Sequence, residues 1–291
     1  MSLICIREVV VACRDVAATT RFYADAFGFD VVERSARGVL LAAGGAPSGR
    51  LRLVPAAGGP AAGGPAAEGT DPQDAAAERA EVWDLGARLL GIYSRDLEDT
   101  YDAVAAAGGR PRRPVTYPYG AASLSEIVAG GPDDVWFTVP RAVTGAHRPS
   151  AAYAGNAERL HSELHTAVLV VEDHDAALAF FTAGGLETVF DGEMAGADFE
   201  ELTGMPVGAT LRLAFLGGSE HLPARFEIMS FSGAPTRDLS GSPLGIQRLV
   251  FACTDVATTR AALLAAGGEA LVDGGVRGPV GVVLDLVESD R

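Results

Sequence analysis

One pattern of apolar and polar positions recurs four times along the chain: a short apolar strand, an Asp, an amphipathic helix, a Gly, then further strands. The copies run over 8–29 (EVVVACRDVAATTRFYADAFGF), 87–109 (ARLLGIYSRDLEDTYDAVAAAGG), 165–186 (HTAVLVVEDHDAALAFFTAGGL) and 248–268 (RLVFACTDVATTRAALLAAGG). In the first strand Val9, Val11 and Cys13 alternate with Glu8, Val10 and Ala12, so one edge of the pleat is fully apolar. Asp15, Asp96, Asp173 and Asp255 stand where a helix N-cap belongs, their carboxylates available to free backbone N–H groups. Gly28, Gly108, Gly184 and Gly267 fall at the helix ends, where a left-handed residue costs least. Copies one and four share Ala-Cys-x-Asp-Val-Ala, at Ala12–Ala17 and Ala252–Ala257. Four copies of one unit are a stronger signal than any single cap.

Two stretches interrupt this pattern. Residues 56–80 are almost entirely Ala, Gly and Pro and read as a flexible loop. Residues 144–160 are small and polar and read as a domain linker. An α+β fold is therefore expected, with units 1 and 2 forming a domain over 1–143 and units 3 and 4 a second over 161–291. Each domain would close its own cup.

Composition narrows the function classes. The chain has 291 residues, no Lys, and a formal charge of −15. Without Lys neither a Schiff base nor a P-loop is available. An acidic chain lacking a basic stripe is repelled by phosphate backbones and anionic lipid, so nucleic acid and membranes are excluded as partners. The start MSLICIREVV carries charge where a signal peptide would be apolar, and a cytoplasmic location is expected. Cys5, Cys13 and Cys253 are odd in number and far apart, which suits buried free thiols.

The stretch CRDVAATTRFYADAFGF (13–29) and the hairpins GPDDVWFTV (131–139) and GPVGVVLDLVE (278–288) resemble the vicinal oxygen chelate superfamily. Glyoxalase I, methylmalonyl-CoA epimerase, fosfomycin and bleomycin resistance proteins and extradiol dioxygenases belong to that superfamily. The likeness covers most of 4–143 and 162–288. It implies four βαβββ units in two domains with cup-shaped mixed sheets, and metal ligands on the first and last strand of each unit. In the first half those positions hold Glu8, Arg52, Leu89 and Thr138, which implies a lost metal. In the second half they hold Glu227 and Asp285 on the last strands, with Thr166 and Arg248 on the first. A one-residue shift would instead assemble His165, Glu227, Gln247 and Asp285 as a divalent metal set. The other reading lets Arg248 pair with Asp285 or Glu227, so that a guanidinium replaces the metal. Dioxygenase-type iron lacks support, because none of the five His lies in 244–291.

Glu227, Arg248, Asp285, His165 and Glu8 are thus the candidate catalytic residues, with Glu227 the first choice as base. Tyr93, Tyr117, Tyr119 and Trp136 would form an aromatic wall in the first half, and Phe199 and Met229 would contact substrate in the second. Residues 191–210 are expected to be a lid with its apolar side chains facing down. No cofactor is expected. The anticipated function is a metal-independent isomerase, lyase or cyclase acting on a secondary metabolite or other small organic molecule. The alternatives are a drug-sequestering protein of the bleomycin-resistance kind and a metal-dependent glyoxalase-type lyase using the C-terminal cup. A homodimer would be compatible with any of these.

Overall fold

The computed structural model describes residues 3–57, 79–119, 122–143, 148–218 and 225–289, with only the backbone of Tyr119. Most of the 56–80 segment and part of the 144–160 segment lie outside the described residues. Unit 1 comprises β1 (Leu3–Cys13), α1 (Val16–Phe27), β2 (Asp30–Ser35), β3 (Gly38–Ala42) and β4 (Arg50–Pro55). Unit 2 comprises β5 (Gly86–Ser94), α2 (Leu97–Ala106), β6 (Arg110–Pro111), β7 (Val115–Tyr119), β8 (Ala122–Gly130) and β9 (Trp136–Pro140). A short helix, α3 (Ala151–Gly155), precedes unit 3. Unit 3 comprises β10 (His161–Val170), α4 (His174–Ala183), β11 (Glu187–Ala195), α5 (Ala197–Thr203), β12 (Thr210–Gly217) and β13 (Arg225–Ser232). Unit 4 comprises β14 (Gly245–Cys253), α6 (Val256–Ala265), β15 (Glu269–Ala270), β16 (Val276–Arg277), a 3-10 turn (Pro279–Gly281) and β17 (Val283–Glu288).

All four Asp residues cap their helices. Asp15 accepts from the Ala17 and Ala18 N–H groups, Asp96 from Glu98 and Asp99, Asp173 from Ala176, and Asp255 from Thr258. Gly28, Gly108 and Gly267 adopt positive φ at the helix ends. In the third helix that role falls to Gly185 (φ 94°), while Gly184 stays right-handed (φ −69°) at the C-cap, as Ala107 does before Gly108 in α2.

The strands form two mixed sheets, and their composition corrects the expected pairing. One sheet runs β15-β16-β17-β14-β1-β4-β3-β2 and joins unit 4 to unit 1. The other runs β11-β12-β13-β10-β5-β9-β8-β6, with β7 on β8, and joins unit 3 to unit 2. In each sheet the first strands of two units lie antiparallel, β1 on β14 and β5 on β10. Units 1 and 2, and units 3 and 4, therefore share no cup. They meet instead in the helix layer, where α1 packs on α2 and α4 on α6. The apolar edges of both sheets (Val9, Val11, Leu90, Ile92, Leu169, Phe251) and the helices form one continuous core. Burial of that shared layer pairs consecutive units through their helices, which leaves the strand edges to pair crosswise.

Asp15→Ala removes two N-terminal hydrogen bonds from α1 and should cost about 1 kcal/mol, read as a lower urea midpoint at unchanged m-value.

Candidate active site

The opposite face of the β13-β10-β5-β9-β8 sheet forms the cup. Tyr93 on β5, Thr138 on β9, Glu126 and Val128 on β8, and Glu227 and Met229 on β13 point into it by strand alternation. Strand β10 breaks that rule. Its register with β5 slips between Leu164 and Thr166, leaving His165 as an extra residue. Both His165 and Thr166 then lie over Gly91, where a Cβ would strike Thr166 Cγ2 and come within 2.8 Å of His165 Cε1. The sequence left His165 and Thr166 as competing inward positions; the bulge brings both to the cup side. His165 stacks on Tyr93 with ring centroids 3.9 Å apart.

The cup encloses a cavity of about 300 Å3. Tyr93 and His165 form one wall, Tyr117 and Phe199 another (centroids 4.7 Å), and Leu211, Leu213, Phe215 and Met229 line the floor. Helix α5 covers the mouth, with Leu202 and Thr203 turned inward and buried, and Asp198 and Glu201 outward and exposed. The expected lid is a helix packed against β7 and β8.

Two carboxyls are sealed into this apolar wall. Glu126 is 7% exposed and Glu227 3%. Tyr117 Oη donates to Glu126 Oε2 at 2.6 Å, and Thr138 Oγ1 donates to Glu126 Oε1. Arg225 Nε and Nη2 both donate to Glu227 Oε1, at 3.2 and 3.0 Å, while its guanidinium lies 3.8 Å above the Phe215 ring centroid. Burial pushes both carboxyls above the ordinary Glu range. For Glu126 the two hydroxyl donors act against that rise and the charge of Glu227 adds to it. For Glu227 the opposing charges are Arg225 and, to a smaller extent, Arg148. Arg148 also lines the cavity.

The expected site residues divide between the two sheets. His165, Glu227, Tyr93, Tyr117, Phe199 and Met229 share this cup, although the first two were assigned to one half of the chain and Tyr93 and Tyr117 to the other. Trp136 stands on the same face but lies outside the cavity lining, with Nε1 donating to the Ala80 carbonyl and Arg110 and Arg112 stacked over its ring. The side chain of Tyr119 lies outside the described residues. Glu8, Arg248 and Asp285 belong to the other sheet. There Glu8 receives Arg52 at 2.6 Å, and Arg248 pairs with Asp285 at 3.2 Å and with Asp273 at 2.5 Å. Arg248 therefore does not reach Glu227. Gln247 turns away and donates to the Ser242, Leu244 and Gly245 carbonyls.

This placement also tests the metal implied by the superfamily. The set His165, Glu227, Gln247 and Asp285 is split between the two sheets, so it cannot converge on one ion. In the cup of units 2 and 3 the ligand positions hold Leu89, Thr138, Thr166 and Glu227, of which one is an acid and one has no donor at all. In the cup of units 1 and 4 both acids are taken by guanidinium groups. Among the described residues no group of three or more His, Cys, Asp or Glu could hold an ion. The donor sets do not fit a metal centre.

Glu126, Arg225 and Arg148 were not singled out from the sequence. Glu126 left a trace: in ASLSEIVAG it occupies an inward position between Leu124 and Val128, where a half-buried strand would place an apolar residue.

Residues 6–138 match the model of the Glyoxalase/Bleomycin resistance protein/Dioxygenase superfamily. No curated protein matches the sequence. Among solved structures, glyoxalase I from Zea mays is 16% identical with a TM-score of 0.62, over 97% of this chain and 92% of that one. A single-site mutant of the same maize enzyme gives 0.63 at 16% identity, over 97% and 93%. A Bacillus subtilis protein provisionally described as a dioxygenase gives 0.60 at 10% identity, over 100% and 86%. The described residues thus have the vicinal oxygen chelate fold, and the superfamily match supports a small-molecule enzyme or binding protein.

Gly91→Ala should force the His165 bulge outward and cost about 1–3 kcal/mol, seen in urea unfolding together with altered near-UV dichroism from Tyr93. The raised carboxyls set a pH signature. Above about pH 4.5, the ordinary Glu value, the unfolded chain releases protons that the folded chain still holds, so stability falls as pH rises through the folded values. Glu126→Gln should flatten that fall above the ordinary Glu range, measured as unfolding free energy against pH.

Proposed function

We propose that the protein is a metal-independent acid–base catalyst, a lyase, isomerase or cyclase, acting on a small and partly aromatic molecule in the cup of units 2 and 3. The observation that carries this reading is the pair of buried carboxyls, Glu126 and Glu227, facing one apolar cavity. Burying two acids is costly unless their protons are used or shared. Their surroundings separate their roles. Glu227 lies against Arg225, which favours the ionised form and suits a general base. Among the described residues the Glu126 carboxyl accepts from the Tyr117 and Thr138 hydroxyls and from no guanidinium, which suits a protonated acid.

In this reading the substrate ring lies between the Tyr93/His165 and Tyr117/Phe199 walls beneath α5. Glu227 takes a proton from an activated carbon, and negative charge develops on a neighbouring oxygen. Arg148 and Arg225 oppose that charge across a water-poor cavity. Glu126 then delivers a proton, directly or through the Tyr117 hydroxyl, to the oxygen or to a second carbon. The net reaction moves protons and leaves oxidation state unchanged.

A second reading, sequestration of an aromatic drug-like molecule, is favoured by the two aromatic walls and the helical lid. One experiment separates them: incubation of the purified protein with a small-molecule library, with native mass spectrometry for bound ligand and chromatographic mass analysis for product. Turnover should fall about a hundred- to ten-thousand-fold in Glu227→Gln and in Glu126→Gln while both variants stay folded. Recovery of a stoichiometric, unchanged ligand would favour sequestration. Undiminished turnover in Glu227→Gln would remove its role as base.

A further inference from the structure

Arg88, at the start of β5, is 2% exposed, yet among the described residues it forms no ion pair. Its Nε and Nη2 donate to the Leu85 carbonyl at 3.3 and 3.0 Å, and Nη2 also donates to the Leu239 carbonyl at 3.0 Å. Nη1 donates to none of the described residues. The acids that influence Arg88 electrostatically, Asp84, Asp134 and Asp238, are engaged elsewhere. Asp84 holds Arg237 at 2.6 Å, Asp134 accepts the Ala80 N–H, and Asp238 accepts the Ser240 N–H. An ionised guanidinium without its own acid is an expensive thing to bury.

The same side chain lines a second cavity, of about 180 Å3, at the seam where β5 of one sheet meets β14 and the Pro279–Gly281 turn of the other, with residues of β16 and β17 in its lining. Its wall is made by the Ser240-Gly241-Ser242 turn, Arg277 at the rim, and the Pro279–Gly281 turn. Two features of the backbone hold this shape open. Gly86, at φ 122°, leaves room for the guanidinium, since a Cβ there would come within 2.9 Å of Nη2. Val280 is held at φ 44°, ψ 37°, a left-handed conformation that a β-branched residue rarely adopts and that surrounding structure must impose.

We propose that this seam cavity is an anion site, distinct from the cup, that takes a small oxyanion, inorganic phosphate or the carboxylate of a small organic acid, on the open edge of Arg88. Nε and Nη2 are taken by carbonyls, so the two N–H bonds of Nη1 are what the guanidinium offers to oxyanion oxygens as charge-assisted donors. The overall charge of −15 does not attract anions, so binding rests on this local cation.

Gly241 supplies the decisive variant. Gly241 lines the cavity and a Cβ there meets nothing within 4 Å, so Gly241→Asp adds a carboxylate at the cavity wall and leaves the carbonyl bonds of Arg88 intact. Thermal unfolding is followed in sodium phosphate, sodium malonate and sodium chloride at matched ionic strength. The wild-type protein should show a saturable rise of roughly 2–4 °C over chloride with at least one of the two oxyanions. The anion with the lower half-saturation concentration identifies phosphate or carboxylate as the preferred class. Gly241→Asp should melt with wild type in chloride and lose the rise, and Arg88→Gln should lose it as well. No rise over chloride with either anion, or an equal rise in Gly241→Asp, overturns the proposal. Calorimetric titration of wild-type protein with phosphate and malonate decides the matter independently of the variants, and absence of saturable heat with both also overturns it.

Discussion

The antiparallel pairing of β5 with β10 is the contact on which the cup depends. It joins units 2 and 3 in one sheet, so that Tyr93, Tyr117 and Glu126 face Glu227 and Met229 across a shared cavity. Its register slip at His165 adds an imidazole that strict alternation would have turned into the core. Gly91 makes the slip sterically feasible by leaving its Cβ volume to Thr166 and His165. The close His165–Tyr93 stack follows from the same local geometry.

The two sheets use one strand arrangement for different electrostatics. On β4-β1-β14-β17 Glu8 is matched by Arg52 and Asp285 by Arg248, so that these two acids face guanidinium groups within the sheet. On β13-β10-β5-β9 the equivalent positions are Glu227, Thr166, Leu89 and Thr138, and the second acid comes from β8 as Glu126. Apolar walls and the α5 cover remove water there, which raises the carboxyls and strengthens every interaction they make.

The helix layer and the strand layer pair the units differently, and this accounts for the form of the molecule. Helices of consecutive units bury their apolar stripes on each other, α1 on α2 and α4 on α6, within one continuous core. Strands pair crosswise, 1 with 4 and 2 with 3. The seam between the sheets that results is where Arg88, the Ser240–Ser242 turn and the strained Val280 come together.

Much of the fold was legible in the residues because it is local. An Asp at an N-cap meets its own N–H partners two or three residues on, and a period of two in Val9, Val11 and Cys13 selects a buried edge whatever lies beyond it. Four copies of that local code identified the repeat and the superfamily. The Tyr93, Tyr117, Phe199, Met229, His165 and Glu227 side chains were also visible as inward or chemically distinctive positions. Their convergence was not, because it depends on which strand edges meet, and sequence order argued for 1 with 2 and 3 with 4. The similarity of Ala12–Ala17 to Ala252–Ala257 was the one sign of the crosswise arrangement. The His165 bulge, the partners of Arg248 and the burial of Glu126 rest on contacts between residues tens to hundreds of positions apart. Such contacts are decided by the packing free energy of the whole assembly, and no local pattern encodes them.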